Sequence, residues 1–119
     1  MAGDWIKMRI NLAGDPTVRH LARTLGLDAF AVVGRLYIFW SWADEHSASG
    51  ELPWVTLDDV DEIVGHRGFS SALEAVKWLE VIDHGIRIPN FDRHNGDSAK
   101  RRVIETEKKR RQREGQPFT

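Results

Sequence analysis

Lys100-Arg101-Arg102 and Lys108-Lys109-Arg110-Arg111-Gln112-Arg113 carry the most definite chemistry in this sequence. Ammonium and guanidinium groups at that density neutralise phosphates, and each such pairing on duplex DNA releases a condensed counterion. Five residues, Val103–Glu107, separate the clusters, so on a helix rising about 1.5 Å per residue both would lie along one rod. Glu105 and Glu107 interrupt the positive charge and limit its pull. They also stand four residues before Lys109 and Arg111, and each such pair is worth only about 0.2–0.5 kcal/mol. Val103 and Ile104 are the sizeable apolar residues of this stretch, so a helix here has little to pack and is marginal on its own.

The basic segment follows a stretch that is otherwise acidic. Residues 1–96 hold nine Lys/Arg against fourteen Asp/Glu, a net −5, and residues 97–119 hold eight against four, a net +4. The overall charge of −1 conceals that division. Such segregation points to a nucleic-acid or acidic-surface partner for the basic part. The plain alternative is a solvated tail with no ligand.

The 119 residues suffice for one ordinary domain, and a 41% hydrophobic share with 29% charged residues fits a real core plus a solvated segment. The expected division is a domain over residues 1–94 and a basic helical or disordered tail over 95–119. No window approaches eighteen uninterrupted apolar residues, which argues against a membrane span. The start MAGDWIKMRI has an early acid and no long apolar run, so it does not read as a signal peptide. With no cysteines, disulfides and thiolate metal sites are excluded and a cytoplasmic setting is expected. His20, His46, His66, His84 and His94 lack close zinc spacing. Ser47, Ser70 and Ser71 have no nucleophile-elbow context, and GHRGFSS lacks the Lys-Ser/Thr ending of a phosphate loop. No catalytic constellation, metal or cofactor is expected.

Periodicity supplies the elements. Trp5–Ile10 alternates apolar and basic residues, as a half-buried strand does. Asp15-Pro16 reads as a cap and first helical position, opening a helix to Leu25 that Gly26 ends. Asp28 caps the most apolar helix, with stripes Phe30/Val33/Tyr37/Trp40 and Val32/Leu36/Phe39/Ala43 and with Gly34 allowing a close helix contact. Apolar on almost all faces, it should be central. Trp40 and Trp78 are expected in the core, and Trp5, Trp42 and Trp54 partly buried. Glu51–Trp54 suits a short edge strand. Thr56 caps a helix Leu57–Val64, acidic outside, and after Gly65–Gly68 a second helix runs from about Ser70 to Trp78. Leu79–Ile82 and Ile86–Ile88 flank Asp83-His84-Gly85 as a hairpin, Gly85 taking the positive φ of the turn.

Strand, helix, helix, short strand, helix, tight turn, helix, hairpin is the order of a winged helix-turn-helix, here mainly α with a small β-hairpin and a C-terminal basic tail. A helix fits the major groove, and a hairpin beside it reaches backbone or minor groove. The expected DNA contacts are Arg67, Ser70, Ser71 and Lys77 around the second helix, His84 and Arg87 on the hairpin, and Arg93 and His94 beyond it. Lys100, Arg101, Arg102, Lys108, Lys109, Arg110, Arg111 and Arg113 would meet phosphates, while Ser70, Ser71 and Lys77 would read bases. The charge on the second helix is thin, so the two helices could equally complete the core without reading DNA.

Three stretches, DWIKMRINLAGDPTVRHLARTLG, VVGRLYIFWSWADEHSASGELP and WLEVIDHGIRIPNFDRHNGDSAKRR, resemble the N-terminal winged-helix domains of phage and prophage replication initiators, the replisome organisers. The resemblance rests on Trp5/Lys7, on Val33/Gly34/Leu36, and on the exit Phe91/His94/Asn95/Ser98/Ala99/Lys100/Arg101/Arg102. It implies binding of replication-origin duplex DNA and recruitment of a helicase or its loader, and it leaves a homo-oligomer open. Members of that family continue beyond the basic segment, a departure that puts helicase recruitment in doubt. A winged-helix transcriptional regulator is the nearest rival, and a protein-interaction module of a replication complex, with a tail that folds on binding, is the rival of another class.

Overall fold

Side-chain caps start three of the four helices. In a computed structural model, which describes residues 5–91, a short 3₁₀ turn at Leu12–Gly14 leads into α1, Pro16–Leu25. Asp15 caps it, accepting the Thr17 amide at 2.7 Å, and Gly26 closes it at φ 69°. Asp28 accepts the Ala31 amide at 2.7 Å and opens α2, Ala29–His46. Helix α3, Leu57–Val64, begins in a reciprocal capping box: Thr56 takes the Asp59 amide at 3.1 Å, and the Asp59 carboxylate takes the Thr56 amide at 3.0 Å.

The fourth helix, α4, spans Phe69–Ala75 and has Gly68 at its cap position, with no side chain to offer. Asp61 of α3 supplies the missing acceptor, taking the Gly68 amide at 2.9 Å and the Ser70 amide at 2.8 Å. The Ser70 hydroxyl donates back to the Leu57 carbonyl at 3.0 Å. The α3–turn–α4 unit is therefore fastened at both of its ends. Helix α4 stops earlier than the periodicity implies. Lys77 turns left-handed at φ 65°, and the Trp78 amide reaches the Leu73 carbonyl at 2.9 Å.

Three short strands, β1 (Glu51–Pro53), β2 (Glu80–Ile82) and β3 (Gly85–Arg87), make an antiparallel sheet in the order β1-β3-β2. The result is a mixed domain of four helices and a three-stranded sheet. Its core joins every layer: Val18 and Leu21 of α1, Leu36 and Phe39 of α2, Val60 of α3 and Leu73 of α4 are fully buried, with Leu52 and Ile86 covering from the sheet. Gly85 is required by proximity more than by the turn. It is a strand residue opposite Pro53, and a Cβ there would stand 2.2 Å from the Leu52 carbonyl oxygen.

Several expectations are corrected. Trp5–Ile10 forms no strand; Ile6 and Met8 are half-buried between exposed neighbours, which preserves the alternation, but the segment does not join the sheet formed among the described residues. Helix α2 buries the Val32/Leu36/Phe39/Ala43 stripe and leaves Phe30, Tyr37 and Ile38 exposed, so it is not covered from all sides. Gly34 faces solvent, and a Cβ there meets nothing within 4 Å. Trp40 and Trp78 flank the core half-buried, and Trp54 is 77% exposed.

Two predictions follow from these contacts. Asp61→Ala removes the acceptor of two helix-end amides and should cost about 2 kcal/mol in urea unfolding; a loss under about 0.5 kcal/mol would mean the amides find other partners. The second concerns Asp15. Its partial burial works to raise the carboxyl, but the hydrogen bond and charge of Arg9 at 2.9 Å and the Thr17 amide outweigh it and hold the group below its ordinary value of 3.8. A carboxyl depressed by folding stabilises above its unfolded value and loses that contribution as the pH falls through the folded one. Asparagine also caps helices, so wild type and Asp15→Asn should differ in urea midpoint at neutral pH and converge below about pH 4. A gap that persists unchanged to about pH 2 would show that the charge contributes nothing.

Candidate nucleic-acid interface

The described part of the surface is not uniformly inviting to a polyanion. Residues 5–91 carry eight Lys/Arg against twelve Asp/Glu, and α3 turns Asp58, Asp59 and Glu62 to solvent. Any interface must therefore be local. Arg67 is exposed in the turn before α4, and its carbonyl accepts a hydrogen bond from His66 Nδ1 at 2.9 Å. Ser71 and Lys77 are exposed, but Glu74 shares the surface of the same helix.

Ser70 is not available to read a base. It is fully buried, with its hydroxyl committed to Leu57 and its amide to Asp61. The reason is spacing: Ser70 stands three residues before Leu73 and one after Phe69, both at 0% exposure, so it belongs to the inward face. Arg87 is exposed but engaged. It forms an ion pair with Glu80 and is registered across the sheet from both Glu80 and Glu51, which neutralise much of its field. An exposed pair of this kind is worth at most about 1 kcal/mol, so a phosphate could compete for the guanidinium.

At the hairpin tip the structure brings His84 together with Trp54. The rings lie 5.1 Å apart at 33°, and the Trp54 amide donates to the His84 carbonyl. Trp54 holds φ 66°, a conformation that bulky residues rarely adopt. The outcome is an exposed indole presented beside the turn. From the sequence, Trp54 reads as an edge-strand tryptophan, partly buried by default, with a partner contact as the alternative; the adjacent Pro53, which ends the ladder, is a local sign that the chain turns outward here.

A second feature lies at the other end of the sheet. A cleft of about 360 Å³ opens between the 7–12 segment, Trp40 of α2, the end of α4 and residues 88–91. Lys7, Arg9 and Lys77 stand on it with Trp40 and Trp78, whose ring centroids are 6.3 Å apart at 42°. Arg93, His94, Lys100, Arg101, Arg102, Lys108, Lys109, Arg110, Arg111 and Arg113 lie outside the described residues. Among the described residues no group of three or more His, Cys, Asp or Glu is placed to hold a metal ion, and no helix is long and apolar enough to cross a membrane. No protein-family model, curated protein or solved structure matches the chain.

The strain at Trp54 makes a prediction. Trp54→Gly deletes a mostly solvated indole and relieves a left-handed backbone, so stability should stay within about 1 kcal/mol of wild type by thermal unfolding. A larger loss would mean that the indole is held by contacts important to the fold.

Proposed function

We propose that the chain is a winged-helix DNA-binding protein that sets α4 and the β2–β3 hairpin against duplex DNA while its basic segment, Lys100–Arg113, supplies most of the attraction. The observation that carries this reading is the order of parts. A helix pair locked by Asp61 is followed directly by a hairpin, and the strand preceding the pair completes the sheet beside it. In chain order a short helix leads into a β-hairpin on one scaffold, the order of parts that groove-reading winged helices use. Arg67, Ser71 and Lys77 are the accessible candidates on or beside the helix, and His84 with Trp54 on the wing.

The resemblance to phage and prophage replication initiators supports a replication origin in the cytoplasm as the setting; a helicase or its loader is the partner that family suggests, a role the departure from the family's pattern leaves in doubt. Phe91, the first residue of the exit motif, is buried at 2% exposure. A transcriptional regulator of the same fold would instead bind repeated half-sites as a dimer. One observation favours a protein-docking role alongside DNA binding: Phe30, Tyr37 and Ile38 give α2 an exposed apolar ridge.

The test is a salt series of duplex binding for the full chain and for a chain ending at Gly96. If six cations of the tail meet phosphates, the full chain should show a slope of log K against log[salt] of roughly −5, and the shortened chain a slope flatter by several units. Equal slopes would remove the tail as the anchor. Absence of binding at low salt, with a stable protein complex, would select the docking module.

A further inference from the structure

Apart from Lys77, the cleft at the far end of the sheet is not used by that reading. Three of the eight Lys/Arg among the described residues line it, and no Asp or Glu does. In a domain whose described residues are net acidic, that is a local concentration of cationic side chains. Arg9 is paired with Asp15 through one guanidinium nitrogen and keeps further donors. The walls are aromatic and apolar: Trp40 and Trp78 meet at an angle, and Met8 stands near them. Among the described residues, two of the three non-glycine residues with positive φ, Lys77 at 65° and Asn90 at 61°, also lie on this cleft. Backbone strain of that kind persists where the surroundings enforce it and clusters at binding sites.

We propose that this cleft binds one unpaired nucleotide of a single-stranded nucleic acid, its base laid against Trp40 and Trp78 and its flanking phosphates met by Lys7, Arg9 and Lys77. The chemistry matches part by part. Aromatic faces stack any base, and cations beside them track the backbone without reading sequence. A volume of about 360 Å³ is at the lower end for sites that enclose small ligands, which suits one nucleoside and not a duplex. A paired base could not enter without leaving its partner, so the site discriminates by strandedness.

The experiment uses the full chain and oligo(dT) carrying 5-iododeoxyuridine. Near-ultraviolet crosslinking and peptide mapping should place adducts on the peptides holding Trp40, Trp78 or Met8. In parallel, the double variant Lys7→Glu/Asn90→Asp, which reverses charge on the rim away from α4, should bind oligo(dT) about tenfold more weakly. Aspartate tolerates the left-handed backbone at position 90 nearly as well as asparagine. Duplex affinity of the same variant should change less than about twofold, since neither residue belongs to the α4 or hairpin surface. Adducts confined to residues 92–119, or unchanged oligo(dT) affinity in the folded variant, overturn the proposal and leave duplex binding standing. Loss of duplex binding with adducts still in the cleft sinks the duplex reading alone. Should the variant not fold, the adduct map on the wild-type chain decides.

Discussion

One carboxylate holds the geometry of the α3–α4 pair. Asp61 is a solvent-side residue of α3 by periodicity, yet its two oxygens take the first amides of α4, 2.9 and 2.8 Å away. Gly68 at the cap position leaves those amides without a local acceptor, and a seven-residue helix has few internal hydrogen bonds to spare. Ser70 closes the loop in the opposite direction, from α4 back to the first residue of α3. A helix too short to be stable alone is thereby borrowed into a rigid unit. Whatever α4 presents to a ligand, its orientation is set by this exchange and by Phe69 and Leu73 beneath it.

The same economy shapes the rest of the domain. The strands are three residues each, and what binds β1 to β3 is the absence of a side chain at Gly85, which lets the Leu52–Pro53 backbone close in. With such short elements, the chain must change direction sharply between them. Among the described residues Trp54, Lys77 and Asn90 adopt the left-handed region, which asparagine tolerates and tryptophan and lysine do not. All three are exposed. The ends of α1 and α3 instead carry glycines in this region, Gly26 and Gly65.

Features encoded within a few residues are legible in the sequence; those set by distant partners are not. The caps Asp15, Asp28 and Thr56 and the bounds of α1 and α3 follow from local hydrogen-bonding rules, so Pro16–Leu25 and Leu57–Val64 agree with expectation to the residue. The hairpin is legible for the same reason. Trp5–Ile10 misleads because half-burial alone produces alternation, with or without a sheet to pair with. Ser70 misleads because a small polar residue in a helix of seven fits either face until its partner, thirteen positions earlier, is known. The exposure of Phe30 and Tyr37 escapes too: hydrophobicity around a whole helix says that burial is possible, and nothing in α2 itself says which neighbours exist. The cleft is the extreme case, since its cations come from positions 7, 9 and 77 and its rings from 40 and 78.

Charge placement ties these surfaces together. The acids of α3, Asp58, Asp59 and Glu62, stand beside the helix proposed to face DNA, and on their own they oppose any approach of phosphate. Repulsion of this sort contributes little affinity but narrows the orientations in which a polyanion can sit. It leaves the Arg67 turn, the hairpin tip and the cleft as the permitted approaches. Arg87 and Arg9, both held by carboxylates, add directed donors more than net charge. On the proposed reading the domain is a template that sets where a nucleic acid lies. The attraction then comes mainly from cations outside the described residues, the eight that follow residue 96.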